Sequence, residues 1–168
     1  MNNIAEQRYY FDTNALLKYY NPLLKHFQEE QGILRIRRLV ANSYFPILIS
    51  PMTSLELVGK VTTFFRQKLV QKKTLRTIIT HLRKDIGINP TSRPFEMVEL
   101  PDNVFPLAET ILLEHAKFAI GSNDALHLAI VQKLPLYQPI MVTSDKSLQR
   151  VCESIQMSFY DPEISIDT

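Results

Sequence analysis

Cysteine is almost missing from this chain: Cys152 is the only one in 168 residues. That excludes a disulfide framework and a thiolate metal cluster. Cys152 falls in an apolar helical pattern, where inert packing is its expected role. Glycine is scarce too, at four residues, and no Gly-rich loop follows the first apolar segment. A phosphate-cradling loop of the nucleotide-binding kind is therefore absent. No apolar run is long enough to span a membrane, and Met1 to Glu6 lack the core of a signal peptide, so a cytoplasmic location is expected. Repeats, low-complexity segments and interdomain linkers are missing as well. The last absence is local: no acidic residue lies between Glu56 and Asp85. The overall balance, a formal net charge of +2, hides that gap.

What is present is a hydrophobic fraction of 45%, enough for one domain with a real core and too high for a disordered chain. Three aromatics, Tyr9-Tyr10-Phe11, run into Asp12 and then into an apolar helical stripe of Leu16, Leu17, Tyr20 and Leu24, with Asn21-Pro22 expected to interrupt it. Ile33, Ile36, Leu39 and Val40 predict a second helix. Phe45 to Ser50 reads as a short buried strand ended by Pro51. A long helix follows from Thr53, with Leu55, Val58, Val61, Phe65 and Leu69 as its expected buried face. Leu75 to Ile86 predicts a further helix, terminated by Gly87 and Asn89-Pro90. Phe95 to Leu100 predicts a strand, Val104 to Leu112 a helix, and Asn123 to Leu134 a densely apolar, buried helix. Ile140 to Thr143 is a buried strand, Lys146 to Ile155 a helix and Met157 to Tyr160 a last strand. Asp161 to Thr168 reads as a tail. Strands alternating with helices call for an α/β fold with a central parallel sheet and right-handed crossovers.

Four acids occupy related places in that pattern. Asp12 and Asp145 follow strands, Glu56 lies just inside the helix after the second strand, and Asp124 opens a helix. In an open parallel sheet such positions share the carboxyl edge, where ligands bind. Each acid also has a structural reading. Thr53 to Glu56 matches a capping box, Asp12 and Asp145 suit N-caps, and Asp124 suits a first helical turn. Capping does not explain the polar neighbours Asn14, Asn123, Thr143 and Ser144, which suit a shell that orients carboxylates and water. Hard carboxylates without cysteine or paired histidine favour Mg²⁺ or Mn²⁺ over Zn²⁺.

Phe11-Asp12-Thr13-Asn14-Ala15-Leu16-Leu17, the Glu of Ser54-Leu55-Glu56-Leu57, Asn123-Asp124-Ala125-Leu126-His127-Leu128-Ala129 and Thr143-Ser144-Asp145 resemble, in order and spacing, the motifs of the PIN domain. The resemblance covers nearly the whole chain. It implies a single three-layer α/β/α domain over residues 1–168, with its core at about 7–161. It further implies a metal-dependent ribonuclease whose catalytic and metal-binding residues are Asp12, Glu56, Asp124 and Asp145. Many small PIN domains are VapC-like toxins, so an antitoxin partner and a homodimer are implied too. Phe64, Phe65 and Tyr44 add to the dimer expectation, as apolar residues one small core does not fully bury. Extra helix between Glu56 and Asp124 and a short extension before Tyr9 depart from a minimal toxin. Two other readings stand beside this one: an RNA-processing or DNA-directed nuclease outside a toxin system, and a non-catalytic binding module.

The acid-free interval carries Lys60, Arg66, Lys68, Lys72, Lys73, Arg76, Arg83 and Lys84. It is either a solvated pair of helix faces or a surface that tracks RNA phosphates or an acidic partner. His127 lies one helical turn after Asp124, and its expected role is that of a buried, hydrogen-bonded side chain.

Overall fold

The computed structural model, which describes residues 7–24, 32–86, 94–134 and 138–164, realises the expected alternation of strand and helix. Its strands are β1 (Tyr9–Phe11), β2 (Ile47–Ile49), β3 (Phe95–Met97), β4 (Ile140–Val142) and β5 (Phe159–Tyr160). All pair in parallel, in the order β3-β2-β1-β4-β5. The helices are α1 (Thr13–Leu24), α2 (Ile33–Asn42), α3 (Pro51–Arg66), α4 (Lys72–Asp85), α5 (Val104–Glu114), α6 (Ser122–Gln132) and α7 (Lys146–Ser154).

Apart from Glu96 in the edge strand β3, the strand sequences are apolar because both faces of the sheet are covered. Alternate residues serve opposite cores. Tyr10, Leu48 and Met141 pack with residues of α5, α6 and α7. Phe11, Ile47, Ile49 and Val142 pack with residues of α1, α2, α3 and α4. The result is a three-layer α/β/α arrangement. From β1 the chain winds outward through β2 to β3, then returns to the other side of β1 for β4 and β5. The winding therefore reverses between β1 and β4, which opens a crevice at their carboxyl ends. Asp12 stands there, its backbone N–H reaching the Val142 carbonyl at 3.4 Å.

Several local expectations are corrected. Helix α3 begins at Pro51, two residues before Thr53. Ser50 is its N-cap: the Ser50 hydroxyl accepts from the Thr53 N–H and the Thr53 hydroxyl accepts from the Ser50 N–H, both at 3.2 Å. The capping box is thus Ser50 with Thr53, and Glu56 has no part in it. The buried face also differs from the expected one. Thr53, Leu57 and Val61 are buried at four-residue spacing, whereas Leu55 is 65% exposed and Phe65 and Leu69 are exposed. Asn21-Pro22 does not interrupt α1, which runs on to Leu24. Pro22 lies inside α1 and forgoes the one intrahelical bond an N–H there would make. Strand β3 stops at Met97, short of Leu100.

Part of the supposed C-terminal tail is packed. Asp161 and Pro162 are buried, and Asp161 accepts from Lys146 Nζ at 2.5 Å and Gln149 Nε2 at 2.7 Å. Glu163 pairs with the buried Lys18 at 2.7 Å. Gly32 opens α2 with a φ of 85°, and a side chain there would meet the Pro162 carbonyl oxygen at 2.8 Å. Gly87 and Asn89-Pro90, expected to end α4, lie outside the described residues.

The buried face of α3 is directly testable. Leu57→Ala should cost about 2–5 kcal/mol, as for a buried leucine. Leu55→Ala should stay within about 0.5 kcal/mol of wild type. Urea unfolding of both variants gives the comparison; equal losses would restore the stripe expected from the sequence.

Candidate active site

Asp12 is the first residue after strand β1, whose Tyr10 and Phe11 are fully buried, and is itself only 4% exposed. Its Oδ1 accepts the Ala15 N–H at 2.7 Å, so it caps α1 as the sequence allows. The Thr143 side chain, at the end of β4, bonds the same carboxylate. Burial nevertheless pushes its pKa up. The Ala15 and Thr143 hydrogen bonds and the charges of His127 and Lys60 only partly offset this.

Glu56, freed from capping, reaches across to α1 and α6. Its Oε2 accepts the Thr13 hydroxyl and stands 3.3 Å from His127 Nε2. The other ring nitrogen of His127 lies 2.8 Å from the Tyr10 hydroxyl, which is also 3.0 Å from Ser50 Oγ. A hydrogen-bonded chain thus runs Ser50–Tyr10–His127–Glu56–Thr13 through the protein interior. Burial holds the Tyr10 phenol well above its ordinary pKa, so it stays protonated. Burial also pushes the Glu56 carboxyl up. The His127 and Thr13 hydrogen bonds, with the charges of His127 and Lys60, overcome that and bring it below its usual value. Glu56 therefore keeps its charge, yet its Oε1 is buried with no hydrogen-bond partner.

Asp124 opens the same cleft from α6. Its Oδ2 accepts the Gly121 N–H at 2.9 Å, which fastens the helix start. Burial raises its pKa, and the nearby charges of Asp145 and Glu56 add to the rise despite the Gly121 bond. Asp12, Glu56 and Asp124 line one cleft of about 740 Å³, together with Asn14, Asn123, Lys60 and His127. Lys60 donates to Asn14 Oδ1 there.

Asp145 is close enough for its charge to act on Asp124, but its carboxylate is taken up by a helix. It is the N-cap of α7, accepting from the N–H groups of Ser147 at 2.8 Å and Leu148 at 3.0 Å, and it does not line the cleft. The Asp145 N–H in turn donates to Thr143 Oγ1 at 3.1 Å, so Thr143 joins the two strand-end acids. Ser144 Oγ is buried without a partner. Among the described residues, no three acids, histidines or cysteines stand close enough to enclose one metal ion.

Cys152 is buried and its thiol is pushed up to about 12 by burial first, so it is no nucleophile. Among the described lysines and arginines, Lys60 alone lines the cleft. Arg66 and Lys68 lie exposed where α3 gives way to α4. Lys72, Lys73 and Arg76, with Thr77, Thr80 and His81, line a separate shallow groove on α4.

Sequence reasoning missed Thr13 as the partner of Glu56 and the Tyr10–His127 link. It also missed that Ser50 frees Glu56. The available signal was Ser50-Pro51, since proline favours the first helical position and serine the position before it. No local signal pairs residues as far apart as Tyr10 and His127.

An open parallel α/β/α sheet with acids gathered at the carboxyl edge beside its topological reversal is the PIN-like arrangement, and this chain has that fold. Among the solved structures it resembles are VapBC and FitAB complexes. One is VapBC2 from Rickettsia felis bound to a DNA fragment from its promoter, at 16% identity and a TM-score of 0.58, over 92% of this chain and 98% of that one. Another is FitAcB from Neisseria gonorrhoeae, at 16% identity and a TM-score of 0.60, over 91% and 96%. A third is DNA-bound VapBC from Salmonella typhimurium, at 13% identity and a TM-score of 0.58, over 93% and 98%. At such identities the likeness is one of fold. No family model matches the chain, and no curated protein matches it. Among the described residues, no helix is long and apolar enough to cross a membrane.

The two carboxylates at the heart of the cleft should respond oppositely to pH in metal-free protein. For Asp12 the folded pKa is raised, so protonation favours the folded state: that stability is fully present below the unfolded pKa of about 3.9 and is lost as pH rises through the folded value. Asp12→Asn should therefore melt above wild type at pH 7, and the gap should close on acidification. For Glu56 the folded pKa is lowered, so its charged form adds stability at neutral pH that is lost as pH falls through the folded value. Glu56→Gln should melt below wild type at pH 7, and its deficit should vanish in acid. Denaturation in EDTA across a pH series checks both signs.

Proposed function

We propose that this protein is a Mg²⁺- or Mn²⁺-dependent endoribonuclease, the toxin of a toxin–antitoxin pair. The observation that carries the reading is Glu56 Oε1: a charged, buried carboxylate oxygen with no partner, in a cleft shared with the buried Asp12 and with Asp124. Leaving such an oxygen unsatisfied is costly, and a cation is the group that satisfies it. The donor set is all oxygen, as hard divalent ions prefer. Mg²⁺ usually keeps several waters and takes only one or two carboxylates, which suits acids that share a cleft without enclosing a point. Asp12 and Glu56 would hold the ion directly, with Asp124 facing them. Asp145, turned to its helix, would act through its charge and through Thr143. When bound, a divalent ion activates water for phosphodiester hydrolysis and stabilises the leaving oxygen.

The chain's own residues prepare that chemistry. His127 and Thr13 fix the Glu56 carboxylate in place and keep it ionised. Thr143 orients Asp12. Asn14 steadies the Lys60 ammonium, which faces the cleft as a point charge for a phosphate. The basic residues beyond it, Lys72, Lys73 and Arg76, extend a phosphate-attracting surface along α4. The antitoxin partner is inferred from the complexes in which the structural neighbours occur. A second copy of the chain is proposed as a further partner, with the exposed Phe65 and Tyr44 available to it.

The direct test is cleavage of cellular RNA by purified protein with Mn²⁺, read by sequencing the new ends. Wild type should cleave at defined sites. Asp12→Asn should lose at least about a hundredfold in rate while its circular dichroism is unchanged, because asparagine caps α1 as well as aspartate does. Cleavage at wild-type rate by Asp12→Asn would refute the assignment.

The α4 surface has its own test. Changing Lys72, Lys73 and Arg76 together to Glu should weaken binding of single-stranded RNA. It should also flatten the dependence of log K on log[salt] by roughly 0.7 for each phosphate no longer neutralised. An unchanged slope would make α4 a merely solvated face.

A further inference from the structure

Gly59 sits in the middle of α3 with no internal reason to be glycine. A helix-interior glycine is less stable than alanine. Its backbone is not in the left-handed region, where only Gly32 stands among the described glycines. Nor does packing demand it: a side-chain carbon built at Gly59 meets nothing within 4 Å. The chain therefore keeps a destabilising residue at a place where its own fold would accept a larger one. What distinguishes the place is the cleft. Glu56, Gly59, Lys60 and Thr63 share one face of α3 by their spacing, and with Phe64 they line the cleft wall. From Glu56 to Phe64 the helix rises about 12 Å.

The chemistry along that wall is specific. Lys60 offers a positive charge, anchored by its bond to Asn14. Phe64 is half-buried, packs against the α1–α4 core and also lines the cleft. Beside the charge, one residue back along the helix, the wall is bare, because Gly59 contributes no side chain. A phosphate contact, an aromatic face and an open stretch of backbone together match a nucleotide with its sugar and base. A duplex keeps its bases stacked and offers none to a ring; a single strand does.

We propose that the α3 wall formed by Gly59, Lys60, Thr63 and Phe64 is a binding subsite for a nucleotide of single-stranded RNA beside the acidic cleft, and that Gly59 is there to let that nucleotide lie against the helix. The subsite rests on the endoribonuclease reading for its ligand and deepens it by naming what positions the strand.

The test uses a fluorescein-labelled, mixed-sequence single-stranded RNA, titrated by anisotropy in EDTA, with the RNA checked for integrity after each titration. Gly59→Ala and Gly59→Leu are compared with wild type, and Leu113→Ser, at an exposed position of α5 outside the cleft, serves as control. Gly59→Ala should raise the melting temperature by roughly 2–4 °C, since the helix gains and nothing is crowded. RNA affinity should nonetheless fall in the order Gly, Ala, Leu, with Gly59→Leu weaker by about tenfold or more. Phe64→Leu, which keeps an apolar side chain against the core, should weaken binding about tenfold because the stacking surface is gone. Leu113→Ser should bind as wild type does. A Gly59→Leu protein that binds RNA as tightly as wild type overturns the subsite, and so does a wild type that binds no RNA at all. If wild type binds the RNA but does not cleave it when Mn²⁺ is added, the nuclease reading fails while the comparison of Gly59 variants still decides the subsite.

Discussion

The structure depends on placing carboxylates where water is scarce. Strand β1 is the centre of the sheet and is covered on both sides, so the first residue beyond it, Asp12, emerges into a half-dry crevice. An ionised group there is tolerable only if its surroundings supply what water would have supplied. The Ala15 N–H and the Thr143 side chain supply part of it to Asp12. Thr13 and His127 do so for one oxygen of Glu56. The other oxygen of Glu56 receives nothing from the protein. Two neighbouring acids thus show the two halves of one design, a carboxylate destabilised by burial and a carboxylate left incomplete.

The buried chain from Ser50 to Thr13 shows how the fold enforces that arrangement. Ser50 ends β2 and caps α3, Tyr10 belongs to β1, His127 to α6, Glu56 to α3 and Thr13 to α1. One hydrogen-bonded line therefore ties two strands to the three helices that border the cleft. Polar networks in a low-dielectric interior are costly when partly satisfied and well ordered when complete. This one leaves a gap at Glu56 Oε1.

Much of this was legible in the sequence. The alternation of apolar strands and amphipathic helices specifies a parallel sheet, and the positions of Asp12, Glu56 and Asp124 relative to it specify a common edge. Cys152 read correctly as core. What was not legible depended on a choice between equivalent local signals or on contacts between distant residues. Thr53 with Glu56 and Ser50 with Thr53 are both acceptable capping pairs, and only the start of α3 at Pro51 decides between them. Leu55, Phe65 and Leu69 were apolar candidates for the core too, but packing turns the face through Thr53, Leu57 and Val61 inward. Asp145 satisfies the rule for a helix cap as well as the rule for a strand-end ligand, and in the fold it caps α7. Asp161 and Pro162 lack any periodic pattern, so their burial against Lys146, Gln149 and Gly32 could come only from the assembled structure.

The central claim is that Asp12 and Glu56 form the seat of a divalent cation. It is tested most directly by growing crystals with Mn²⁺ and measuring anomalous scattering at an energy where manganese contributes. The account predicts an anomalous peak in the cleft, with the Glu56 Oε1 oxygen and the Asp12 carboxylate among its ligands. A well-ordered cleft with no such peak at saturating Mn²⁺, or a peak held by other residues while Glu56 Oε1 stays bare, would contradict it.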